Sequence, residues 1–291
     1  MIRPATTKDM HHIRSLWRQS YRDSNVYVDF FYENVISPEY TMLYIQDDIP
    51  VGMLTVLPAR MTLCNNTEPE TVCVLYGGAV LPKYRHRGYM TELVRYCEHN
   101  AVGVGCTMCV VSPGPPHLFE FFRNLGYHDD FSVRYVKMKP GMLDNERNNN
   151  YIYSNLSDWS LMYEIREGAL RNIPHLIWNA NQMGALVKEA RFYGESVLMA
   201  SNANSIAYAV CGMNGRSLAV KEILGTDNEA CEALLKHIID TEHPSSATVR
   251  LPVGSDVLSG EGLVYSFGMV RQLKVAPTMK DLSPYMNLML D

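Results

Sequence analysis

The sequence has no excess of basic residues. Across 291 residues, 26 Lys and Arg face 31 Asp and Glu, a formal net charge of -5. A nucleic-acid partner requires clustered cations to neutralise phosphates, so none is expected. No apolar run approaches the roughly 18 residues needed to span a bilayer, and Met1, Ile2, Arg3, Pro4, Ala5 and Thr6 do not lead from a basic stretch into an apolar one. No membrane partner is expected, and the expected location is cytoplasmic. The seven cysteines (Cys64, Cys73, Cys97, Cys106, Cys109, Cys211, Cys231) are odd in number, scattered and mostly set in apolar runs, which suits reduced core thiols rather than a disulfide framework. Cys106 and Cys109 have a C-x-x-C spacing, yet no second Cys pair or nearby His accompanies them, so no metal is expected. There is no Gly-x-Ser-x-Gly elbow and no isolated Cys with a suitably placed His, which leaves a covalent enzyme intermediate without support.

What is present is enough apolar material, 47% of residues, to build a core in each of two domains. Residues 8–21 place Met10, Ile13, Leu16 and Trp17 at helical spacing, and 26–36 form a second amphipathic stretch. Strands are predicted at 40–46 and 51–57 around Asp47, Asp48, Ile49 and Pro50, then at 71–81, where Gly77 and Gly78 signal a bulge before Pro82. The helix that follows has Met90, Leu93, Val94 and Cys97 on one face. A strand at 106–111, a Pro-rich break, a short aromatic helix at 117–124 and a strand at 131–138 complete the first half. Residues 140–155 are polar and aperiodic, which suggests a boundary between a domain at 1–141 and another at 151–291. The second half predicts helices at 159–171 and 177–189, strands at 196–200, 205–210 and 218–224, a helix through 240 opened by Thr226 and Glu229, and a strand at 247–252. The order of elements repeats that of the first half, the mark of a degenerate internal duplication.

The junction from Gly78, Ala79 and Val80 through Arg85, His86, Arg87, Gly88, Tyr89, Met90 and Thr91 runs from a buried strand into a basic turn and then a helix. The first amides of a helix are unpaired and lie at the positive end of its dipole, so they favour an anion. Gly88 lets the backbone approach a diphosphate with no Cβ in the way, and the three basic side chains add charge.

This segment resembles the coenzyme A signature of the GNAT superfamily of N-acetyltransferases, in which Gln or Arg, two variable residues, Gly, a variable residue and Gly or Ala follow a bulged strand. The resemblance implies an α+β fold of two GNAT-like domains in tandem, each a mixed, mostly antiparallel sheet flanked by helices, with the second degenerate. That arrangement is similar to Eis-like acetyltransferases without their sterol-carrier-like domain. It implies acetyl-CoA as cosubstrate, held by backbone groups of Gly78, Ala79 and Val80 along the pantetheine arm and by amides from His86 to Thr91 at the diphosphate. It also implies a primary amine on a small molecule or peptide as acceptor. Met90 stands where the family prefers Gly or Ala, and Phe122 where it often places a general-acid Tyr.

Four residues are candidates for the chemistry. Tyr76 lies on the bulged strand, and His117 and Glu120 lie on the helix beside the expected thiol end. Asp291 closes the apolar tail that begins at Pro284, and in Eis-like enzymes the terminal carboxylate serves as a base. The expected reaction is direct attack of a neutral amine on the thioester. The rival is a protein that binds acyl-CoA as a sensor without turnover, which Phe122 favours. The sequence sets no subunit number, and a homo-oligomer stays open.

Overall fold

The computed structural model describes residues 1–21, 23–63, 68–139, 141–143, 150–274 and 283–287. The chain divides into two compact units that interleave in sequence. The first comprises Met1–Met61, Pro69–Asp129 and Gly268–Thr278, and the second Thr62–Glu68, Asp130–Phe267 and Met279–Asp291.

The first unit opens with β1 (Ile2–Pro4), α1 (Met10–Ser20) and α2 (Asn25–Asn34). Asp9 sets the entry to α1: it takes both guanidinium nitrogens of Arg3 at 2.8 and 2.9 Å and the Thr6 amide and hydroxyl at 2.8 Å each. Ile13, Leu16 and Trp17 form the buried face of α1, and Ser24 caps α2 by accepting from the Tyr27 amide. β2 (Thr41–Gln46), β3 (Ile49–Thr62) and β4 (Glu70–Val80) follow as an antiparallel series, with β1 beside β2. β3 runs beyond the predicted 51–57 and passes through Pro58. Its pairing with β2 has ended at Thr55, so the missing N–H of Pro58 breaks no ladder on that side.

α3 (Tyr89–Gly103) then crosses over to β5 (Met108–Val111), which lies parallel to β4. Val72 to Leu75 and all of β5 are buried, the continuous apolar pattern of parallel strands covered on both faces. Leu93, Val94, Cys97 and Ala101 of α3 pack on them together with the free thiols of Cys73, Cys106 and Cys109. After α4 (Pro116–Asn124) the chain does not return to β5. β5 instead pairs antiparallel with the end of β13 (Leu263–Gln272), from Met269 to Gln272.

The second unit takes β6 (His128–Met138), whose residues 134–138 pair antiparallel with β12 (Ser246–Leu251). The sequence pattern places 131–138 as the last strand of the first half, and strand exchange is why it lies elsewhere: each unit's strand next to its parallel pair comes from the other half of the chain. Between β6 and β12 come β7 (Ile152–Asn155), α5 (Trp159–Leu170), β8 (His175–Ile177), α6 (Ala180–Phe192), β9 (Ser196–Ser201), β10 (Ile206–Asn214), β11 (Ser217–Gly225) and α7 (Asn228–Glu242). β7, β9, β10 and β11 form an antiparallel series, and β12 is parallel to β11. Leu234, Leu235 and Ile238 of α7 fill the core with Ala207, Ala209, Val220 and Val249. A buried polar group lies apart from that apolar core: Arg166 and Glu222 are both fully buried, with Nε and Oε2 3.5 Å apart, and Tyr208 and Tyr285 donate to Glu222. No helix among the described residues is long and apolar enough to cross a membrane.

Candidate active site

β4 and β5 are paired only as far as Leu75 and Val111. Pro113, Pro115 and Pro116 then carry the chain away, because a proline gives the ladder no donor. Immediately past that point β4 bulges. Met53 faces Ala79 and Thr55 faces Tyr76, so Gly77 and Gly78 together oppose Leu54. Gly77 takes φ +61°, a conformation that a glycine adopts without strain. Leu81 N donates to Val51 O at 2.9 Å, so by alternation Gly78 and Val80 turn their backbone groups to the side that β5 has vacated. Two carbonyls there are held by side chains. Tyr21 Oη donates to Gly78 O at 2.8 Å and Arg85 Nε to Val80 O at 3.0 Å.

The turn after β4 presents its cations to solvent. Lys83 and Arg87 lie over the Tyr84 ring at 4.9 and 5.4 Å, and His86, also exposed, adopts φ +61°. Arg85 behaves differently from its sequence neighbours. Its guanidinium folds back onto Val80 O, Gln19 O and Ser20 Oγ, at the negative end of α1, so its charge braces the junction. Gly88 holds φ +85° at the start of α3, and a Cβ there would meet nothing within 4 Å. No side chain caps this helix, and the first helical bond is Glu92 N to Gly88 O, so the amides of Tyr89, Met90 and Thr91 are without intrahelical acceptors. The Tyr89 ring turns away and stacks on Tyr44, 4.3 Å between centroids, leaving its amide as its contribution to the turn. The Met90 side chain lies over the bulge, its Cε 3.3 Å from where a Gly78 Cβ would stand.

The other wall is aromatic. Trp17, Phe31 and Tyr76 cluster, with Tyr76 stacked on Phe31 at 5.3 Å and its hydroxyl 3.5 Å from that of Tyr27. Tyr21 and Asp23 complete it, and no sequence motif singles out either. Asp23 accepts from Trp17 Nε1 at 2.8 Å. The Tyr21 side chain is 36% exposed, but its hydroxyl turns inward onto Gly78 O, and desolvation with Asp23 alongside pushes the phenol up to about 12. Their only sequence signal is their place just past the end of an amphipathic helix. The α4 candidates are not drawn into this group: His117 and Glu120 are both exposed. Phe122 is 7% exposed and packs edge-to-face against Tyr127 at 5.2 Å, so this position carries no proton donor. Asp291 lies outside the described residues.

A bulged strand splayed from its parallel neighbour and followed by an uncapped, glycine-led helix is a scaffold suited to an anion such as a diphosphate. Residues 1–128, just under half of the chain, match the family model for the acetyltransferase (GNAT) domain. Several solved structures share the fold across 94% of the chain. One is a GCN5-related N-acetyltransferase from Kribbella flavida (TM-score 0.76, 14% identity, 70% of that chain covered). Others are Eis1 from Mycobacterium abscessus (0.71, 10%, 74%) and a conserved protein from Enterococcus faecalis V583 described as a probable N-acyltransferase (0.77, 10%, 72%). The mixed sheet flanked by helices that the sequence leads one to expect is the fold observed. No curated protein sequence matches the chain.

Proposed function

We propose that the first unit transfers an acetyl group from acetyl-CoA to a primary amine of a small molecule or peptide by direct attack, and that the second unit is its degenerate counterpart. The observation that carries this reading is the contrast between two helix starts. α3 begins uncapped at Gly88 with open space around it, whereas α7 begins at Asp227, which accepts from Ala230 N at 2.8 Å. The first has no side-chain cap and leaves its start open to a diphosphate, whereas the second has a carboxylate already seated on it.

Acetyl-CoA would supply a thioester-activated acyl group. Amides of Gly88 to Thr91 would hold its diphosphate, with Arg87 and Lys83 adding positive charge at the rim. The backbone N–H groups of Gly78 and Val80, whose carbonyls accept from Tyr21 and Arg85, would align the pantetheine arm along the edge that β5 vacates, and an amide of the bulge would stabilise the oxyanion. Tyr21, protonated throughout the physiological range, is the candidate proton donor in place of Phe122. A thiolate with a pKa near 8.5 asks little of such an acid. Asp23, next to Tyr21 and Trp17, is the candidate acceptor of the amine's proton, in the role that the sequence offers to Asp291. Tyr76 shapes the wall between them.

The test measures free-thiol release from acetyl-CoA across small amines, aminoglycosides and peptides, with coenzyme A binding measured separately by calorimetry. Turnover on at least one amine is expected. Binding with no turnover on any acceptor would sink the transferase reading in favour of an acyl-CoA sensor, which Phe122 favours.

A further inference from the structure

The second unit repeats the splayed cleft of the first with its charge reversed. β12 is parallel to β11 only from Ser246 to Val249, against Ser217 to Val220. β11 bulges at once, because Val210 faces Glu222 while Cys211 faces Val220, leaving Lys221 as the extra residue. Past the bulge the strands part around a cavity of about 770 Å³, lined by the end of β11, the first turn of α7, the segment after β12 and the last turns of α5. In the first unit the corresponding place is the diphosphate cradle.

This cavity is unsuited to an anion. Asp227 sits on the α7 amides and also takes the Ser205 hydroxyl. Glu164 and Asp256 add two exposed carboxylates, and Arg171 is the one basic side chain among the described lining residues. Leu161, Ile165, Ile206, Ile223, Leu224 and Val257 line the apolar half of the wall, and polar groups line the rest. At the bulge the chain fills its own edge. Asn287, fully buried, donates to Lys221 O on the bulge and to Tyr285 Oη, and Tyr285 donates to Glu222 at 3.0 Å. The strand edge that would carry a reacting group is therefore filled, while the outer cavity is open.

We propose that this cavity binds an organic cation, a molecule with a primary or secondary amine on an apolar body, and holds it without transforming it. The volume falls within the range of about 300–1,000 Å³ typical of small-molecule sites. Enclosure beside the apolar half of the wall lowers the local dielectric, so the lining carboxylates attract an ammonium more strongly than they would in bulk water. The site needs no turnover by the first unit.

The experiment titrates the full chain with dansylcadaverine, a fluorescent amine with an apolar ring system, beside its N-acetylated, uncharged derivative. Two variants separate this cavity from any other amine site. One is the double variant E164Q/D256N, and the other is Gly168→Phe on α5, at a lining position where an added Cβ meets nothing within 4 Å and a large side chain reduces the open volume. Circular dichroism melting confirms that each variant is folded. Binding of the amine is expected to weaken about tenfold or more in both variants and in the uncharged derivative. The proposal is overturned by equal binding of the uncharged derivative, by undiminished binding in either folded variant, or by no saturable binding up to about 1 mM.

Discussion

Glycine is required at the bulge for two separate reasons. Gly77 has φ +61°, and a Cβ on it would stand 3.3 Å from Trp17 Cζ3, deep in the aromatic wall. Gly77→Ala therefore combines left-handed strain with a shift of Trp17 and is expected to cost about 1–3 kcal/mol, read from urea midpoints. At Gly78 the obstacles are Leu54 Cδ1 and Met90 Cε, at 3.2 and 3.3 Å, both ends of flexible side chains. Tyr21 holds the same bulge from outside through Gly78 O. If its hydroxyl supplies the proton that Phe122 lacks, Tyr21→Phe lowers kcat by about 10- to 100-fold, at or below the lower end for general acids because a thiolate needs little help. KM for acetyl-CoA should change far less, since the cradle amides are untouched. An unchanged kcat would remove Tyr21 from the chemistry.

The first helix shows how an element far from the cradle still positions it. α1 begins at the Asp9 cluster and ends where Gln19 O and Ser20 Oγ receive Arg85 and where Tyr21 reaches the bulge. The Arg3 guanidinium, with the Thr6 hydrogen bonds, holds the Asp9 carboxyl well below the usual carboxylate range. A depressed folded-state value stabilises the protein above the unfolded value near 3.9, and that contribution is lost as pH falls through the folded value. Asp9→Asn is expected to lower stability at pH 7 by about 1–3 kcal/mol, and its deficit against the parent should shrink by about pH 3, below the unfolded Asp value. A deficit that stayed constant with pH would mean that the ion pair contributes nothing. Much of this was legible in the sequence: the buried face of α1, the Gly77 and Gly78 bulge and the stripe of α3 all lie in local periodicity. Tyr21 and Asp23 were not legible as site residues, since only tertiary packing brings the end of α1 to β4. The back-folded guanidinium of Arg85 was not legible for the same reason, because nothing in a basic turn reveals that one side chain folds onto a helix end.

At the scale of the whole molecule, strand exchange makes each unit depend on chain from the other half. Met269 and Val270, 0% and 2% exposed, close the first unit's sheet beside β5, yet they follow β5 in sequence by more than a hundred residues. No local pattern announces this. Residues 263–267 are mostly exposed and 268–270 buried, so β13 lacks the steady alternation that marks a half-buried strand, and 131–138 would suit either edge equally well. The consequence is physical: without 268–272 the fully buried Met108, Cys109 and Val110 would line an open, apolar edge, which is an aggregation site. A fragment of residues 1–129 is therefore expected to lack a cooperative thermal transition, whereas the same fragment carrying 268–274 through a Gly/Ser linker should regain one. Circular dichroism melting distinguishes the two. If 1–129 alone melted cooperatively and stayed soluble, the exchanged strand would be a passive edge, and the first unit would be complete without the chain that returns to it.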